Sequence, residues 1–145
     1  MKALIQRVKE ASVTIDGCLY SKIGKGLLVF VGVEKTDQEL NADQLTTKIV
    51  NLRIFEDEND KMNLSVKDVE GDILVVSQFT LCGNCKKGTR PSFDSSAPLD
   101  MAEKLYEYFV ESIKQSGLNV ATGKFRAMMD VSLINDGPVT FWVEK

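Results

Sequence analysis

The sequence predicts a β-rich α+β domain, a barrel-like or strongly curled sheet with two main helices. Many short segments spread over the whole chain have strand-like patterns, whereas two segments have helical periodicity. The chain has 145 residues, the size of one domain. We therefore expect residues 1–145 to form a single domain.

The first part of the chain is predicted to form three strands. Residues 2–9 and 11–15 alternate between apolar and polar side chains, and the Asp-Gly pair at 16–17 is a strong two-residue hairpin signal. The return strand is then expected over residues 18–23. Residues 27–33 form an almost continuous apolar run, which is typical of a strand buried on both faces.

Two segments are predicted to be helices. The first covers residues 37–52, and Asp37 is its expected N-cap. The second covers residues 99–115 and ends before Gly117, with its aromatic side chains in the core. The first helix presents one apolar face, formed by Leu40, Leu45, Ile49 and Leu52.

Residues 73–81 are the stretch around which the chain is organised. They begin as an apolar, β-branched run and turn polar at Ser77, Gln78 and Thr80. A buried strand that ends in two hydroxyls and an amide holds hydrogen-bonding groups on a rigid support, as many sites do. The alternative interpretation is that these side chains merely complete a turn. The irregular segment at 82–98 has a length that is usually functional or mobile in a compact domain.

The last part of the chain predicts more strands. Residues 119–122 carry a weak strand pattern and residues 124–129 an ambiguous one. Residues 131–134 and 139–143 have clear strand patterns. The Asn-Asp-Gly-Pro sequence between them, at 135–138, predicts a hairpin turn by local rules.

Composition excludes several classes of function. The chain has no histidine, so Ser-His-Asp, Cys-His and HExxH chemistry are impossible within it. The net charge of −3 argues against a surface coated for non-specific nucleic-acid binding. A local basic patch remains possible, since Lys86, Lys87 and Arg90 lie close together after residues 73–81; the alternative is a solvated loop.

The cysteines leave two alternatives open. Cys82 and Cys85 form a CxxC pattern, which suits a redox pair or half of a zinc site, whereas reduced thiols are the default in a cytosolic chain. Neither a signal peptide nor an apolar run of membrane-spanning length stands out. We expect a cytoplasmic protein with no metal, no cofactor and no membrane partner.

Residues 77–81 (Ser-Gln-Phe-Thr-Leu) and 135–140 (Asn-Asp-Gly-Pro-Val-Thr) together closely resemble the D-aminoacyl-tRNA deacylase family. The order and spacing of smaller matches along the whole chain make the resemblance specific. The cysteine pair, Cys82 and Cys85, departs from the family pattern. The smaller matches lie at residues 3–8, 26–29, 53–55, 61–64, 90–93, 106–110 and 131–133.

The resemblance implies a homodimeric, β-barrel-like hydrolase that proofreads translation. Its substrates would be D-aminoacyl-tRNA, recognised at the 3′ end, and glycyl-tRNA mischarged on tRNA(Ala), while L-aminoacyl-tRNA is spared. A cis Gly-Pro pair would enter the partner subunit's active site, steadied by an arginine. Carried onto this chain, the catalytic residues are Ser77, Gln78, Phe79 and Thr80, and those for substrate binding and chiral selection are Gly137, Pro138, Arg7 and Phe125.

Without histidine, the predicted mechanism is substrate-assisted. Thr80 is a tempting nucleophile, but the sequence places no base beside its hydroxyl. We expect backbone N–H groups near Phe79 and Thr80, with Gln78, to hold the oxyanion while the terminal ribose hydroxyl helps to activate water. Two other classes stay open: a non-enzymatic RNA-binding or dimerisation module of the same fold, and a redox or zinc-stabilised protein that uses the CxxC pattern.

Overall fold

The fold is built on one long strand that pairs along both edges. A computed structural model describes residues 1–145 and confirms the predicted α+β class with a barrel-like mixed sheet and two helices. No helix is long and apolar enough to span a membrane. In chain order the elements are β1 (Lys2–Ile15), β2 (Cys18–Ile23), β3 (Gly26–Gly32), α1 (Glu39–Val50), β4 (Phe55–Glu56), β5 (Met62–Leu64), β6 (Asp72–Ser77), α2 (Leu99–Lys114), β7 (Val120–Thr122) and β8 (Asp130–Glu144).

Strand β1 pairs antiparallel with β3 and then β2 along one edge, and with β8 along the other. On the far side of β3, β6 and β7 add in parallel, while β4 and β5 form a separate small sheet. The main sheet curls until the two ends of its strand order meet. The Ser21 hydroxyl on β2 donates a hydrogen bond of 2.8 Å to the Thr122 carbonyl on β7. Register shifts along β1 increase its bend and twist.

Both faces of the sheet centre are buried. Side chains such as Ile5, Val29 and Val75 pack in the larger core cluster with residues of α1 and α2. Their neighbours Leu28 and Leu74 point to the opposite face and form a second, smaller cluster. This two-sided burial explains why β3 and β6 are continuous apolar runs in the sequence.

The Asp-Gly hairpin at 16–17 is confirmed, but the predicted turn at 135–138 is wrong. Strand β8 runs without reversal from Asp130 to Glu144. Its partner β1 pairs with it on both sides of this segment, Val8 with Asn135 and Gln6 with Thr140. Residues 136–139 therefore lie opposite Arg7 alone and form a large bulge. The pairing of β1 with β8 on either side maintains this bulge.

The predicted N-cap of α1 is also wrong. The helix begins at Glu39 with Gln38 as N-cap. The carboxylate of Asp37 instead accepts hydrogen bonds from the α-amino group of Met1, at 2.6 Å, and from the Glu34 N–H, at 2.7 Å. Because this buried ammonium needs an anionic partner, Asp37 is unavailable for capping.

The parallel pairing of β3 with β6 brings Gly26 very close to the backbone of Asp72. A Cβ on Gly26 would overlap the backbone carbonyl of Asp72, whereas a Cβ on Gly24 would meet nothing within 4 Å. We expect Gly26→Ala to lower the free energy of unfolding by about 1–3 kcal/mol. The control, Gly24→Ala, should change it by less than about 0.5 kcal/mol. Urea unfolding measures both, and equal midpoints for the two variants would contradict the close approach.

Candidate active site

The polar end of β6 turns away from the sheet instead of extending it. Ser77 is the last residue of the strand and pairs with Val31, and the Gln78 N–H donates to the Val31 carbonyl at 2.7 Å. The chain then enters a short 3₁₀ turn, Phe79–Cys82. The strand expected over 73–81 thus ends four residues early, and residues 78–81 wrap around its end.

This turn is anchored from below. A Cβ on Gly32 would lie 3.1 Å from the Gln78 carbonyl and 3.0 Å from the Cys82 sulfur, so glycine permits the close approach. The thiol of Cys82 is buried and contacts the Val33 carbonyl at 3.5 Å. Burial raises the pKa of that thiol, with a further contribution from the Glu34 carboxylate. The turn therefore rests on a neutral, packed side chain that fixes its main chain.

The polar groups of the turn bond mainly to each other. The Gln78 side-chain amide donates to the Thr80 hydroxyl, and no carboxylate or lysine is hydrogen-bonded to Thr80. The first bond of the turn runs from the Leu81 N–H to the Gln78 carbonyl at 3.2 Å. The N–H groups of Phe79 and Thr80 precede that bond, and the first N–H groups of a helical turn lack partners within it. We call residues 77–80 the strand-end cluster; it offers hydrogen-bond donors and no adjacent base.

Phe125 lies at the same end of the sheet. The chain after β7 stays beside β6, since the Gly123 N–H donates to the Val75 carbonyl at 2.9 Å. The Phe125 ring stands 5.7 Å from that of Tyr106, and both line an open cavity of about 560 Å³. The strand-end cluster does not line this cavity.

Tyr106 has a role that the sequence did not reveal. It is buried in the core, as expected for the apolar face of α2. Its hydroxyl also donates a 2.9 Å hydrogen bond to the Val75 carbonyl, two residues before Ser77. Burial raises the pKa of Tyr106 well above its ordinary value, so the hydroxyl stays a donor. The sequence feature that could have indicated this role is a hydroxyl-bearing aromatic residue, Tyr106, on the otherwise apolar face of α2.

The Gly137–Pro138 pair lies on the surface of the chain and is held from behind. Its peptide bond is cis, and both residues are exposed. The guanidinium of Arg7, only 3% exposed, donates from Nε to the Asp136 carbonyl at 3.2 Å and lies 3.0 Å from the Asp136 carboxylate. Arg7 also donates to the Ile54 carbonyl at 2.6 Å. The structure thus places Arg7 directly behind the residue that precedes Gly137.

Asn135 secures the other side of this segment and was not predicted as a site residue. Its side-chain amide donates to the Arg7 carbonyl and to the Val139 carbonyl, each at 3.0 Å. These two bonds close the bulge of β8 across its base. Gly137 and Pro138 are therefore a fixed protrusion whose geometry does not depend on contacts of their own side chains.

The chain does not unite its two halves of the predicted site. The strand-end cluster follows β6, whereas Gly137 and Pro138 belong to β8, with β3 and β1 between them. Three strand spacings amount to about 14 Å across the sheet. The structure brings Arg7 to Asp136 and Phe125 to the end of β6, but it leaves Gly137–Pro138 apart from residues 77–80.

The cysteine pair forms neither a disulfide nor a metal site within the chain. Cys82 is buried, Cys85 is exposed, and neither forms a disulfide. No group of three or more His, Cys, Asp or Glu side chains could hold a metal ion. The zinc interpretation of the CxxC pattern therefore lacks further ligands in this chain.

Comparison with known sequences identifies similar proteins over the full chain. A sequence model of the family described as D-Tyr-tRNA(Tyr) deacylase matches residues 4–144. The chain is 57% identical over 145 residues to a protein of Pelobacter propionicus named D-aminoacyl-tRNA deacylase, with 100% of both chains covered. It is 59% identical over 141 residues to a protein of the same name from Geobacter sulfurreducens, covering 97% of this chain and 93% of the other.

Solved structures share the architecture. One titled "c-Myc DNA Unwinding Element Binding Protein" superposes with a TM-score of 0.95 at 42% identity, covering 100% of this chain and 99% of the other. A second, described as a probable eukaryotic D-amino acid tRNA deacylase, has a TM-score of 0.86 at 17% identity, covering 99% of this chain and 98% of the other. At that identity the second similarity concerns the fold alone.

Proposed function

The chain belongs to the D-Tyr-tRNA(Tyr) deacylase family, and on that premise we propose that it hydrolyses D-aminoacyl-tRNA to free D-amino acid and tRNA. It is thus a hydrolase of a carboxylic ester, and the reaction proofreads translation. The observation that carries the proposal is a rigid cluster of hydrogen-bond donors at the end of β6 with no base beside its hydroxyl. Such a cluster suits an ester that is already activated, because stabilising the oxyanion is then the main requirement.

The reaction proceeds by attack of water on the ester carbonyl. The N–H groups of Phe79 and Thr80 and the Gln78 amide bind the oxygen that becomes negatively charged. The free hydroxyl of the terminal ribose orients the water and accepts its proton. When the tetrahedral intermediate collapses, the carbon–oxygen bond to the ribose breaks, and the ribose oxygen leaves with a proton that the neighbouring hydroxyl passes on after accepting one from the water. The protein supplies placement and charge stabilisation, and the substrate supplies the acid–base group. No metal is required.

Chirality is selected by the main chain of Gly137 and Pro138. Because Arg7 and Asn135 hold this protrusion from behind, it cannot yield to a side chain pushed against it. An L substituent would collide with these backbone atoms, whereas a D substituent points away from them. Glycine has no substituent, so glycyl-tRNA mischarged on tRNA(Ala) is also a substrate.

The protrusion acts on a second copy of the chain, in a homodimer. Within one chain, two strands, β1 and β3, lie between the protrusion on β8 and the strand-end cluster at the end of β6. Strand β8 pairs with β1 alone, so its outer edge lacks a strand partner. It also exposes large apolar side chains, Ile134, Phe141 and Trp142. An unpaired edge with exposed apolar residues favours association between chains. In the dimer each site combines one subunit's strand-end cluster with its partner's Gly-Pro protrusion.

Substrate specificity is the direct test of the proposed function. Purified protein should release the amino acid from D-aminoacyl-tRNA and glycyl-tRNA, and leave L-aminoacyl-tRNA intact. The measurement is the first-order rate of ester loss for the three substrates, against uncatalysed hydrolysis. Efficient cleavage of L-aminoacyl-tRNA would exclude the backbone wall. Binding of tRNA without cleavage of any ester would favour the non-enzymatic module.

The mechanism predicts that the Thr80 hydroxyl is dispensable. Thr80→Val, which keeps the volume, and Thr80→Ala should each reduce kcat by less than about 10³-fold, whereas loss of a nucleophile costs more. Conversely, D-aminoacyl-tRNA ending in 2′-deoxyadenosine should react more than about 10²-fold more slowly with the unaltered protein. Single-turnover rates measure both effects, with unfolding midpoints as the control for folding. A loss above about 10³-fold for Thr80→Val, together with an undiminished rate for the deoxy substrate, would identify Thr80 as the nucleophile.

A mixing experiment tests the shared site. One variant carries Ser77→Ala, Gln78→Ala and Thr80→Ala, and the other carries Pro138→Trp, which places a bulky ring at the protrusion. Each homodimer should be strongly impaired. After joint unfolding and refolding at equal amounts, half the dimers are mixed and one of their two sites is intact, so about a quarter of the unaltered activity should return. If both halves came from the same chain, mixing would restore nothing.

A further inference from the structure

A basic hairpin follows the strand-end cluster and has no partner within the chain. Residues 84 and 92 close it: the Asn84 N–H donates to the Ser92 carbonyl at 2.7 Å, and the Ser92 N–H donates back at 3.0 Å. Its tip carries Lys86, Lys87 and Arg90, which are all exposed. None of the three forms an ion pair. We call residues 84–92 the basic arm.

The charge of the arm contrasts with the rest of the molecule. The chain has a net charge of −3, yet residues 73–93 contain three cations and no aspartate or glutamate. The nearest following acid, Asp94, accepts a hydrogen bond from the Ser92 hydroxyl at 2.7 Å, at the base of the arm. Unpaired cations concentrated on one protrusion of an acidic protein are a local binding surface for an anion.

The base of the arm is fixed to the sheet. The Ser95 hydroxyl donates to the Cys82 carbonyl at 2.8 Å, and the Ala97 N–H donates to the Val33 carbonyl at 3.0 Å. The Lys35 N–H donates to the Ser95 carbonyl at 2.9 Å. These bonds tie the returning chain to the segment after β3, so the tip is carried on a defined support beside the 3₁₀ turn.

Two exposed aromatic rings connect the strand-end cluster with the base of the arm: Phe79 belongs to the cluster, and Phe93 directly follows the arm. Phe79 is 58% exposed and Phe93 is 38% exposed, and their centroids are 5.1 Å apart at a tilt of 56°. Gly83 permits this contact, since a Cβ there would lie 3.0 Å from the Phe93 ring. Exposed aromatic side chains next to basic groups are what proteins use to bind single-stranded nucleic acid, by stacking and phosphate contact.

We propose that the basic arm binds phosphates of the single-stranded 3′ end of tRNA, while the Phe79–Phe93 pair supports the bases that lead into the site. This inference rests on the proposed function, because it assigns the arm to the same substrate. It explains how an acidic protein grips a polyanion: the cations are placed where the strand enters, and the remaining surface contributes little.

The test compares two substrates that share the reacting ester. One is D-aminoacyl-tRNA, and the other is a 3′-D-aminoacyl ester of adenosine, which has no phosphate. The variant is Lys86→Ala, Lys87→Ala and Arg90→Ala combined. The matched control removes three exposed lysines that also lack ion pairs, by Lys48→Ala, Lys61→Ala and Lys67→Ala. A charge-retaining variant, Lys86→Arg with Lys87→Arg, should behave as the unaltered protein.

In the arm variant, kcat/KM for D-aminoacyl-tRNA should fall about 10- to 100-fold at moderate salt, mainly through KM. The slope of log kcat/KM against log salt should become shallower by about 2, since each phosphate contact on a single strand contributes about 0.7. Hydrolysis of the adenosine ester should be unchanged. The control variant should lose less than about 3-fold on either substrate.

Equal losses on both substrates, an unchanged salt slope or an equal loss in the control variant would each overturn the proposal. A changed oligomeric state of the arm variant, measured by light scattering, would overturn it in favour of a subunit contact. If the unaltered protein cleaves neither substrate, the proposed function itself is wrong. If it cleaves both and the arm variant shows no selective loss on tRNA, the role of the arm alone is wrong.

Discussion

The buried guanidinium of Arg7 joins the main sheet to the small sheet and to the bulge of β8. Removing such a charge from water costs several kcal/mol unless its hydrogen bonds and charge are matched. Here the match comes from three residues in two parts of the chain, namely Asp136 on β8, and the Ile54 carbonyl and Glu56 carboxylate at β4. The aromatic face of Phe55 lies 6.0 Å away as a further contact. One cation on β1 thereby ties the small sheet and the bulge of β8 to the main sheet.

That arrangement shows how the molecule combines rigidity with exposure. In the proposed chiral selection, a protrusion that rejects a substrate by collision must be rigid, and it must also stand at the surface to reach that substrate. Gly137 and Pro138 meet both demands because all their support comes from behind, through Arg7 and Asn135. The strand-end cluster is also both exposed and fixed. Gly32 permits the close approach of the turn to the sheet, and the Tyr106 hydroxyl donates a hydrogen bond to β6. Each half of the proposed site is therefore supported by buried groups beneath it.

The sequence predicted the elements that depend on local pattern and failed where distant partners decide. The apolar runs of β3 and β6 identified buried strands, because burial on both faces leaves a continuous signature. The turn expected at 135–138 did not form, because β1 pairs with β8 on either side of it. Local rules evaluate a segment without its partner strand, and here the partner determines the conformation.

The candidate site was likewise predictable only where it depends on a local sequence motif. Motif resemblance supplied Arg7 and the Gly-Pro pair, but no rule of spacing connects residue 7 to residue 136, since sheet pairing alone makes them neighbours. Asn135 and Tyr106 escaped notice because they act through hydrogen bonds to backbone carbonyls, two from Asn135 and one from Tyr106, and such bonds leave no periodic pattern in the sequence.

The position of the three cations of the basic arm can be explained by the proposed mechanism. The strand-end cluster contains no side chain that accepts a proton at neutral pH, so the proposed mechanism relies on the substrate's own hydroxyl, brought to the ester in a defined orientation. Orientation then matters more than affinity, and a few cations at the entrance fix the direction of the strand better than a uniformly basic surface, which would bind tRNA in many registers. The net charge of −3 and the three unpaired cations of the basic arm are consistent with that requirement. The proposed catalysis by placement and the proposed binding through a local patch both follow from one constraint, the absence of a base hydrogen-bonded to the Thr80 hydroxyl.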